Sequence, residues 1–475
     1  MKTIIRRTVA ILLVFVSFQT FSQGNWKYFK KEDGLLDINP KIFDVLNDKK
    51  NNIWFITDKG ILVYDGKSWI TYNEKNGLIG SRISTSLIDS KGNIWIGSYD
   101  GERKDGGLSV FDGEKWVSYR RSEKIFTEAH VRKIFEDSKG RIWATSSTES
   151  GSYLGPSGSA VGLVFSFIDL GLQGLLQDGG VSMFENGKWT NFNETPQKPP
   201  YKFVKDIIEC PNGKILFNTG KHQLFMYDGN RFVVPGRDDG YSSGDVYDLI
   251  RDHNGNIWVG SWDRQVKYDG NKWTIYGKKD GVIKGLGHFW TFRIHESKKK
   301  GFIIFAGAQG IVIYDGSEWK NIRYDHVGPY TQHDMETYQS VEDTAGNVWV
   351  YYNNNFGVYN GKEWHQSQQK VDCKFFIDSK SRKWLPKKDG LEYKIDGKWN
   401  KKEEYQDIFG FVEDRSGNIW IGMKQKGVVC YDNNEFKSYS ASNGLPSNNV
   451  QNIFTDSNNR VWFSTDKGLC YYKNE

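Results

Sequence analysis

Apolar and polar residues alternate with a period of two along most of this chain, in short runs broken by Gly, Asn and Asp. That period marks half-buried β-strands rather than helices. The stretch after Asp407 reads most plainly. Ile408-Phe409-Gly410-Phe411-Val412-Glu413-Asp414 predicts an apolar inner strand A, and a Gly-Asn turn leads to strand B, Ile419-Trp420-Ile421-Gly422. Gly427-Val428-Val429-Cys430-Tyr431-Asp432 predicts strand C, and after Asn433-Asn434 comes strand D, Phe436-Lys437-Ser438-Tyr439. Strands joined by Asn-Gly-like or Asp-Gly-like turns are hairpins. Outside residues 159–177 almost nothing has a helical period.

This four-strand unit recurs. Its turn reads Asp89-Ser-Lys-Gly-Asn-Ile-Trp95, Asp252-His-Asn-Gly-Asn-Ile-Trp258, Asp343-Thr-Ala-Gly-Asn-Val-Trp349 and Asp414-Arg-Ser-Gly-Asn-Ile-Trp420. The turn positions are Asp48, Asp89, Asp137, Pro211, Asp252, Ser297, Asp343, Asp378, Asp414 and Asp456, with Pro211 and Ser297 degenerate. A spacing of about 42 residues accommodates four short strands, the content of one propeller blade. The last repeat stops at Cys470-Tyr471-Tyr472 without a strand D, while Trp26-Lys27-Tyr28-Phe29 is a strand D with no preceding A to C. The expectation is an all-β propeller of about ten repeats, closed by pairing of the N-terminal strand with the last blade. Closure removes the unpaired edges that invite aggregation. A single large ring is favoured because no Pro/Gly linker divides the repeats. Two five-bladed rings, or a degenerate repeat that forms no full blade, are the alternatives.

The repeated residues have structural roles. An Asp opening a tight turn accepts backbone N–H bonds, and Gly supplies the left-handed conformation. Trp on strand B and an aromatic on strand D offer large surfaces for packing between blades. Asp89, Trp95, Asp252, Trp258, Asp343, Trp349, Asp414 and Trp420 are read this way. Each turn offers one carboxylate, so neither a metal site nor a catalytic carboxylate is expected there, and no cofactor is implied. Of the 18 tryptophans, strand B takes eight and strand D another eight, from Trp26 to Trp399. The remaining two, Trp262 and Trp290, are not required by the scaffold. Trp262 lies in a B–C loop and Trp290 in the next D–A connection, loop types that open on the same face. Together with His288 they are predicted to line a ligand site that stacks a sugar ring or packs a peptide. Tyr99 holds in repeat two the position of Trp262 in repeat five. Arg264, His130 and His333, with Tyr330 and Asp334, lie in or near the same loops. The competing reading is that all of these pack only on their own neighbours.

Composition refines the picture. Lys2, Arg6 and Arg7 precede an apolar run from Val9 to Phe18, and Thr20-Phe21-Ser22 offers small residues at −3 and −1, so residues 1–22 read as a signal peptide cleaved after Ser22. The run, about ten residues, is shorter than the roughly 20 needed to span a membrane; a retained anchor is the competing reading. The propeller then occupies 23–475, and the location is periplasmic or secreted. Cleavage removes three of the charges behind the formal +6, leaving a nearly neutral chain with no basic block. Nucleic acid is therefore excluded as a partner. Cys210, Cys373, Cys430 and Cys470 show neither metal spacing nor a disulfide framework, and they read as buried small hydrophobes, with a Cys430–Cys470 bridge as the alternative. Residues 147–178 form an insertion between strands B and C of repeat three. From Ala160 to Gln177 it is apolar, with Ser166, Asp169, Gln173 and Gln177 at helical spacing. As a helix it would carry a wide apolar face, suited to capping the ring's mouth, docking a partner or touching a membrane surface.

The unit Asp-x-x-Gly-Asn-x-Trp-x-Gly, followed by Gly-Leu-x-x-Tyr-Asp, resembles the repeat of the two-component regulator propellers, the periplasmic sensor region of hybrid histidine kinases. The resemblance covers nearly all of residues 26–473. No kinase core, receiver or DNA-binding domain follows Tyr472, so it implies a module that stands alone and binds a ligand or protein outside the cytoplasm. The turn is also similar to the Asp-box of sialidase-like propellers, and Gly-Asn-Ile-Trp to streptogramin lyase propellers, but a shared structural turn transfers no activity. The leading expectation is a non-catalytic binding or sensing propeller for a glycan, peptide or extracytoplasmic protein. The alternatives are a lyase or glycosidase at the channel mouth, drawing on Arg132, Arg264, Arg293, or on His288 or His333 with Glu336, and an assembly protein docking through the insertion.

Overall fold

A computed structural model describes residues 25–29, 41–99, 105–147, 179–219, 223–236, 241, 246–262, 264–284, 286, 289–307, 309–324, 339–352, 355–367 and 375–473. The expected signal peptide, residues 148–178 and Cys373 lie outside these. The described residues form ten four-stranded antiparallel sheets. Nine take their strands in chain order. In the tenth, Val450–Thr455, Arg460–Thr465 and Gly468–Lys473 are completed by Trp26–Phe29, in a register running from Trp26 opposite Tyr472 to Phe29 opposite Leu469. The two ends of the chain therefore share one sheet.

Ten hydrophobic clusters lie one at each junction between consecutive blades, including blades 5 and 6 and blades 10 and 1. This settles the ring as one ten-bladed propeller and rules out two five-bladed rings. Strands A of adjacent blades touch one another, so they are innermost and strands D form the perimeter. Both degenerate repeats build full blades.

What makes each blade rigid is its turn. The Oδ1 of Asp252 accepts the backbone N–H of Asn256 at 2.7 Å, while Oδ2 accepts Asn256 Nδ2 at 2.8 Å and the indole Nε1–H of Trp258 at 2.8 Å. The indole bond recurs at Asp48, Asp89, Asp137, Asp343, Asp378, Asp414 and Asp456. Arg141, Arg382 and Arg460 replace the Asn in three of these, their Nε donating to the same carboxylate. A buried carboxylate with this many donors has its lone pairs committed to the turn. At Asp343, burial works to raise the pKa, but bonds from Asn347 and Trp349 outweigh it and hold the carboxyl below its usual range.

The degenerate repeats support the same logic. In blade 4 the turn opens at Cys210, whose N–H bonds Lys214 O and whose carbonyl accepts from Gly213; the expected position, Pro211, is one residue late. In blade 6 it opens at Ser297, one residue longer. Neither offers a carboxylate, and the strand-B positions there hold Leu216 and Ile304, which have no N–H to satisfy. Asp and Trp are lost together.

Each strand-B Trp is also clamped by rings. Trp258 stacks on Tyr276 of its own strand D at 6.0 Å and 21°, and meets Tyr314 and Trp319 of blade 6 at 5.3 and 6.3 Å. Trp420 meets Trp26 edge-on at 6.4 Å, so the N-terminal strand supplies the ring that blade 10 lacks. Burying one Trp removes roughly 200 Å² from water, worth about 5 kcal/mol. Trp399 departs from the expected packing between blades. Its cross-strand neighbour is Lys394 rather than a Tyr or Phe, and it stays 39% exposed with Lys394 Nζ 5.7 Å from its ring.

On the turn face, a second contact links neighbours. The residue before a turn Asp on one blade accepts hydrogen bonds from the residue after the turn Asp on the preceding blade. Glu136 takes Ser90 N and Oγ, both at 2.7 Å, and Glu413 takes Ser379 N at 2.7 Å. Glu209, Glu296 and Glu342 do the same for Ser138, His253 and Lys298. Asn47 accepts from Ser457 Oγ at the closing junction.

Ser147, placed at the start of the insertion from sequence, is buried in strand B of blade 3 opposite Gly179. Cys210, Cys430 and Cys470 are buried free thiols, so the alternative of a Cys430–Cys470 bridge is not realised. Burial pushes the Cys210 thiol up to about 12.

Three outcomes follow. Asp252→Ala leaves the buried Trp258 N–H without its acceptor and costs about 1–3 kcal/mol. Combining it with Trp258→Phe costs less than the sum of the single changes, a coupling of about 1 kcal/mol measurable by urea unfolding of the four proteins. Replacing 148–178 by Asn-Gly, a turn that joins paired strand ends such as Ser147 and Gly179, leaves the far-UV spectrum and cooperative melt intact. The Glu296 hydrogen bond raises the His253 pKa. A raised folded value means stabilisation that is complete below the ordinary histidine pKa of about 6.5 and lost as pH rises through the folded value. The melting-temperature gap between wild type and His253→Gln therefore narrows from pH 5.5 to pH 8.5.

Candidate functional site

The face opposite the Asp turns carries the B–C loops and the entries to the inner strands. At the junction of blades 5 and 6 its floor is tightly built. Gly260 has no Cβ to collide with Thr291, whose Cγ2 would lie 2.4 Å from one. Thr291 and Gln265, both fully buried, bond one another, Gln265 Nε2 to Thr291 Oγ1 at 3.0 Å and Thr291 Oγ1 to Gln265 Oε1 at 3.2 Å. Gly307 leaves room for the Trp290 carbonyl and the Phe289 ring, with Trp290 O only 2.5 Å from where a Cβ would sit.

Above that floor stand Trp262 and Trp290, ring centroids 5.9 Å apart at 56°. Trp290 is half-buried and packs against the cluster between blades 6 and 7. Trp262 is 44% exposed. The two tryptophans singled out by subtracting the repeat thus meet across a blade junction. The loop beneath Trp262 is held by Ser261 Oγ, which donates to Arg264 O at 2.8 Å.

The other candidates distribute as follows. Tyr99 and His130 meet at 4.9 Å and 54° across the junction of blades 2 and 3, with His130 buried. This is the same place in the repeat. Tyr99 and Trp262 each lie four residues after the strand-B Trp, and His130 and Trp290 each precede the residue where the inner strand bulges. The two pairs sit three junctions apart, so they are separate points on one rim rather than one pocket. Arg264 is half-buried near Tyr241, whose hydroxyl pKa is raised by burial against the pull of that guanidinium. His288 and His333, with Tyr330, Asp334 and Glu336, lie outside the described residues.

Below the rim, the inner strands carry a group of charges that sequence reasoning noticed only in part, through Arg132 and Arg293. Lys133, Asp206, Asp248 and Arg293 occupy one level of the ring in blades 3 to 6, each opposite the residue two after the strand-B Trp position. Lys133 Nζ lies 3.0 Å from Asp206 Oδ1, and Arg293 Nη1 lies 4.0 Å from Asp248 Oδ2. Asp248 also accepts Ile294 N–H at 2.8 Å. One residue nearer the rim are Arg132, 5.0 Å over the Phe203 ring, and Lys205. Desolvation holds the Lys205 ammonium below its ordinary pKa, although Asp248 and Asp206 oppose it. Aligning strand A of every repeat in register would have exposed this level; the strand-B Trp motif drew attention away from it.

At the perimeter, blades 8 and 9 leave a cleft of about 650 Å³ lined by Tyr393, Ile395, Lys398, Lys402 and Phe436. Among the described residues no group of three or more His, Cys, Asp or Glu is placed to hold a metal ion, and no helix is long and apolar enough to cross a membrane.

Three stretches, 77–100, 240–263 and 444–467, match the family model of the two component regulator propeller. Each runs from a D–A connection through an inner strand and its turn into strand B, so the chain carries the repeat the motif resembled. No curated protein matches the sequence. Among solved structures, the extracellular domain of a B. thetaiotaomicron protein described as a hybrid two component system is 15% identical, with a TM-score of 0.28 over 95% of this chain and 83% of that one. A second such domain is 14% identical, TM-score 0.35, over 92% of this chain and 64% of that chain. A streptogramin B lyase is 14% identical, TM-score 0.30, over 58% of this chain and 94% of that one. None of these likenesses carries an activity or ligand over to this chain.

Tryptophan emission should report this rim. Trp262→Phe removes a red-shifted, acrylamide-quenchable component of the spectrum, whereas Trp258→Phe removes a blue-shifted one that acrylamide hardly touches.

Proposed function

We propose that this chain is a non-catalytic binding or sensing propeller acting outside the cytoplasm, and that it presents the rim at blades 5 and 6 to a glycan, peptide or extracytoplasmic protein. The observation that carries the reading is the Trp262–Trp290 pair. The scaffold clamps its repeated tryptophans between blades, yet it leaves this pair on a rigid floor with Trp262 nearly half in water. An exposed indole held in place loses little freedom when a ligand arrives, and Trp is the residue most enriched among dominant binding contacts. Its flat face suits the apolar face of a sugar ring or a peptide side chain. The signal-like leader and the matched repeat support an extracytoplasmic role.

Truncating such an anchor costs about 2 kcal/mol or more, roughly 30-fold in affinity. A glycan array and a peptide library on the purified chain, run beside a broad hydrolase and lyase screen, identify the class of ligand. Trp262→Ala and Trp290→Ala then weaken the hit at least tenfold and abolish its fluorescence response. Unchanged binding in both variants would place the site elsewhere, and turnover in the screen would overturn the non-catalytic reading.

A further inference from the structure

We infer that the seam between blades 6 and 7 is a proton-operated latch: in mild acid its turn-side half loosens, with His295 as the trigger. The latch works whatever the rim binds.

The place of this histidine in the repeat is the first ground. His295 lies on strand A of blade 6 and pairs across to Ile304. In the nine other blades the residue at that place, opposite the strand-B Trp position, is apolar, Leu46, Leu87, Ile250 and Val412 among them. Ile304 belongs to the cluster between blades 6 and 7, and directly paired residues share a sheet face. The imidazole accordingly reaches Ser340 on strand A of blade 7, Nδ1 to Oγ at 3.1 Å. A polar pair thus stands in a seam that is otherwise lined by Ile304, Val348 and Val350.

The second ground is the state of the ring. Its Nε2 is sealed from solvent and meets no hydrogen-bond partner among the described residues. With the proton on Nδ1, that atom donates to Ser340 and Nε2 keeps a bare lone pair, so no donor is stranded. A second proton must go to Nε2, where no protein group receives the N–H, and a buried unsatisfied donor is costly. Burial accordingly holds the His295 pKa below its ordinary value, while Glu342 of blade 7 and the adjoining Glu296 favour the proton and Lys298 in the blade-6 turn opposes it. Glu342 is also what ties the two blades on the turn face, accepting Ser297 Oγ at 2.6 Å and Lys298 N at 2.9 Å. Accommodating the proton means moving the ring out of the seam or drawing Glu342 off those bonds. Either loosens the two blades.

The third ground is that the other side of blade 6 responds in the opposite sense. Glu296 faces blade 5, where it accepts the His253 backbone N–H at 3.0 Å and contacts the ring Nδ1, and that bond raises the His253 pKa. Acid therefore tightens one seam of blade 6 and weakens the other. Blade 6 also has Ser297 and Ile304 in place of the Asp–Trp bond, so its own turn holds it less firmly than most.

A folded pKa below the ordinary histidine value of about 6.5 means that the neutral ring's contribution is whole above that value and is lost as pH falls toward the folded one. The test is amide hydrogen exchange read by mass spectrometry, corrected for the intrinsic rate at each pH. Thr291–Glu296 and Gln339–Glu342 report this seam, and Ile408–Glu413 and Val450–Thr455 report the seam of blades 9 and 10. Between pH 7.5 and pH 5.5, wild type should lose about fivefold or more of its protection at the first seam relative to the second. His295→Leu, which installs the residue that blades 1 and 2 carry here, should cut that change to about twofold or less, and its melting-temperature advantage over wild type should grow as pH falls. Should the variant fail to fold, the wild-type ratio decides alone. A ratio that does not move with pH, or one that moves equally in wild type and His295→Leu, would overturn the proposal.

Discussion

Everything in this propeller hangs on a buried carboxylate that accepts an indole N–H. The bond between a turn Asp and the Trp six residues on does two tasks at once. It closes the A–B turn, and it fixes the largest side chain of the blade at one angle, so that this ring can enter the aromatic set of the next blade. Leaving a buried indole N–H or carboxylate unsatisfied is expensive, so the two residues stand or fall together. Cys210 with Leu216, and Ser297 with Ile304, show the substitution made on both sides at once.

Because each blade is locked locally, the ring is assembled from nearly independent contacts between neighbours. The aromatic clusters hold the middle of each junction. The carboxylates that end strand A, such as Glu136 and Glu413, hold the turn face through charge-assisted bonds to backbone N–H groups. This leaves the opposite face with fewer scaffold duties. Loops there still send buried residues such as Leu78, Phe126, Phe289 and Leu445 into the junction clusters, but the positions beyond those anchors can carry an exposed ring or a long insertion at little cost to stability. Function of the binding kind proposed here would be drawn from that freedom.

The closing seam uses the same chemistry as the others. Trp26 enters the aromatic set of Trp420 and Tyr472, Phe29 stacks on Trp462 at 14°, and Asn47 accepts from Ser457. A strand that arrives first in the chain and completes the last sheet makes the ring a loop-closure problem: it can be finished only after all ten units are in place. Opening at this seam would expose Trp420 and Trp462 together.

The fold was legible in the sequence because its determinants are local and repeated. The period of two, the Asp-Gly-Asn-Trp turn and the orphaned strand at Trp26 specified about ten four-stranded repeats and their closure, while the choice of one ring over two was decided by the clusters at every junction. Trp262 and Trp290 could be singled out for the same reason, as residues the repeat does not explain. Their meeting could not be read from sequence, since it depends on how far blade 6 rotates against blade 5. Nor could the displacement of the blade-4 turn from Pro211 to Cys210, which hydrogen bonding decides, or the exposure of Trp399, which follows from Lys394 standing across the strand. The gathering of Arg132, Lys133, Lys205 and Arg293 was least visible of all. These residues are far apart in the chain, and only the closing of the inner strands around one axis makes their charges neighbours.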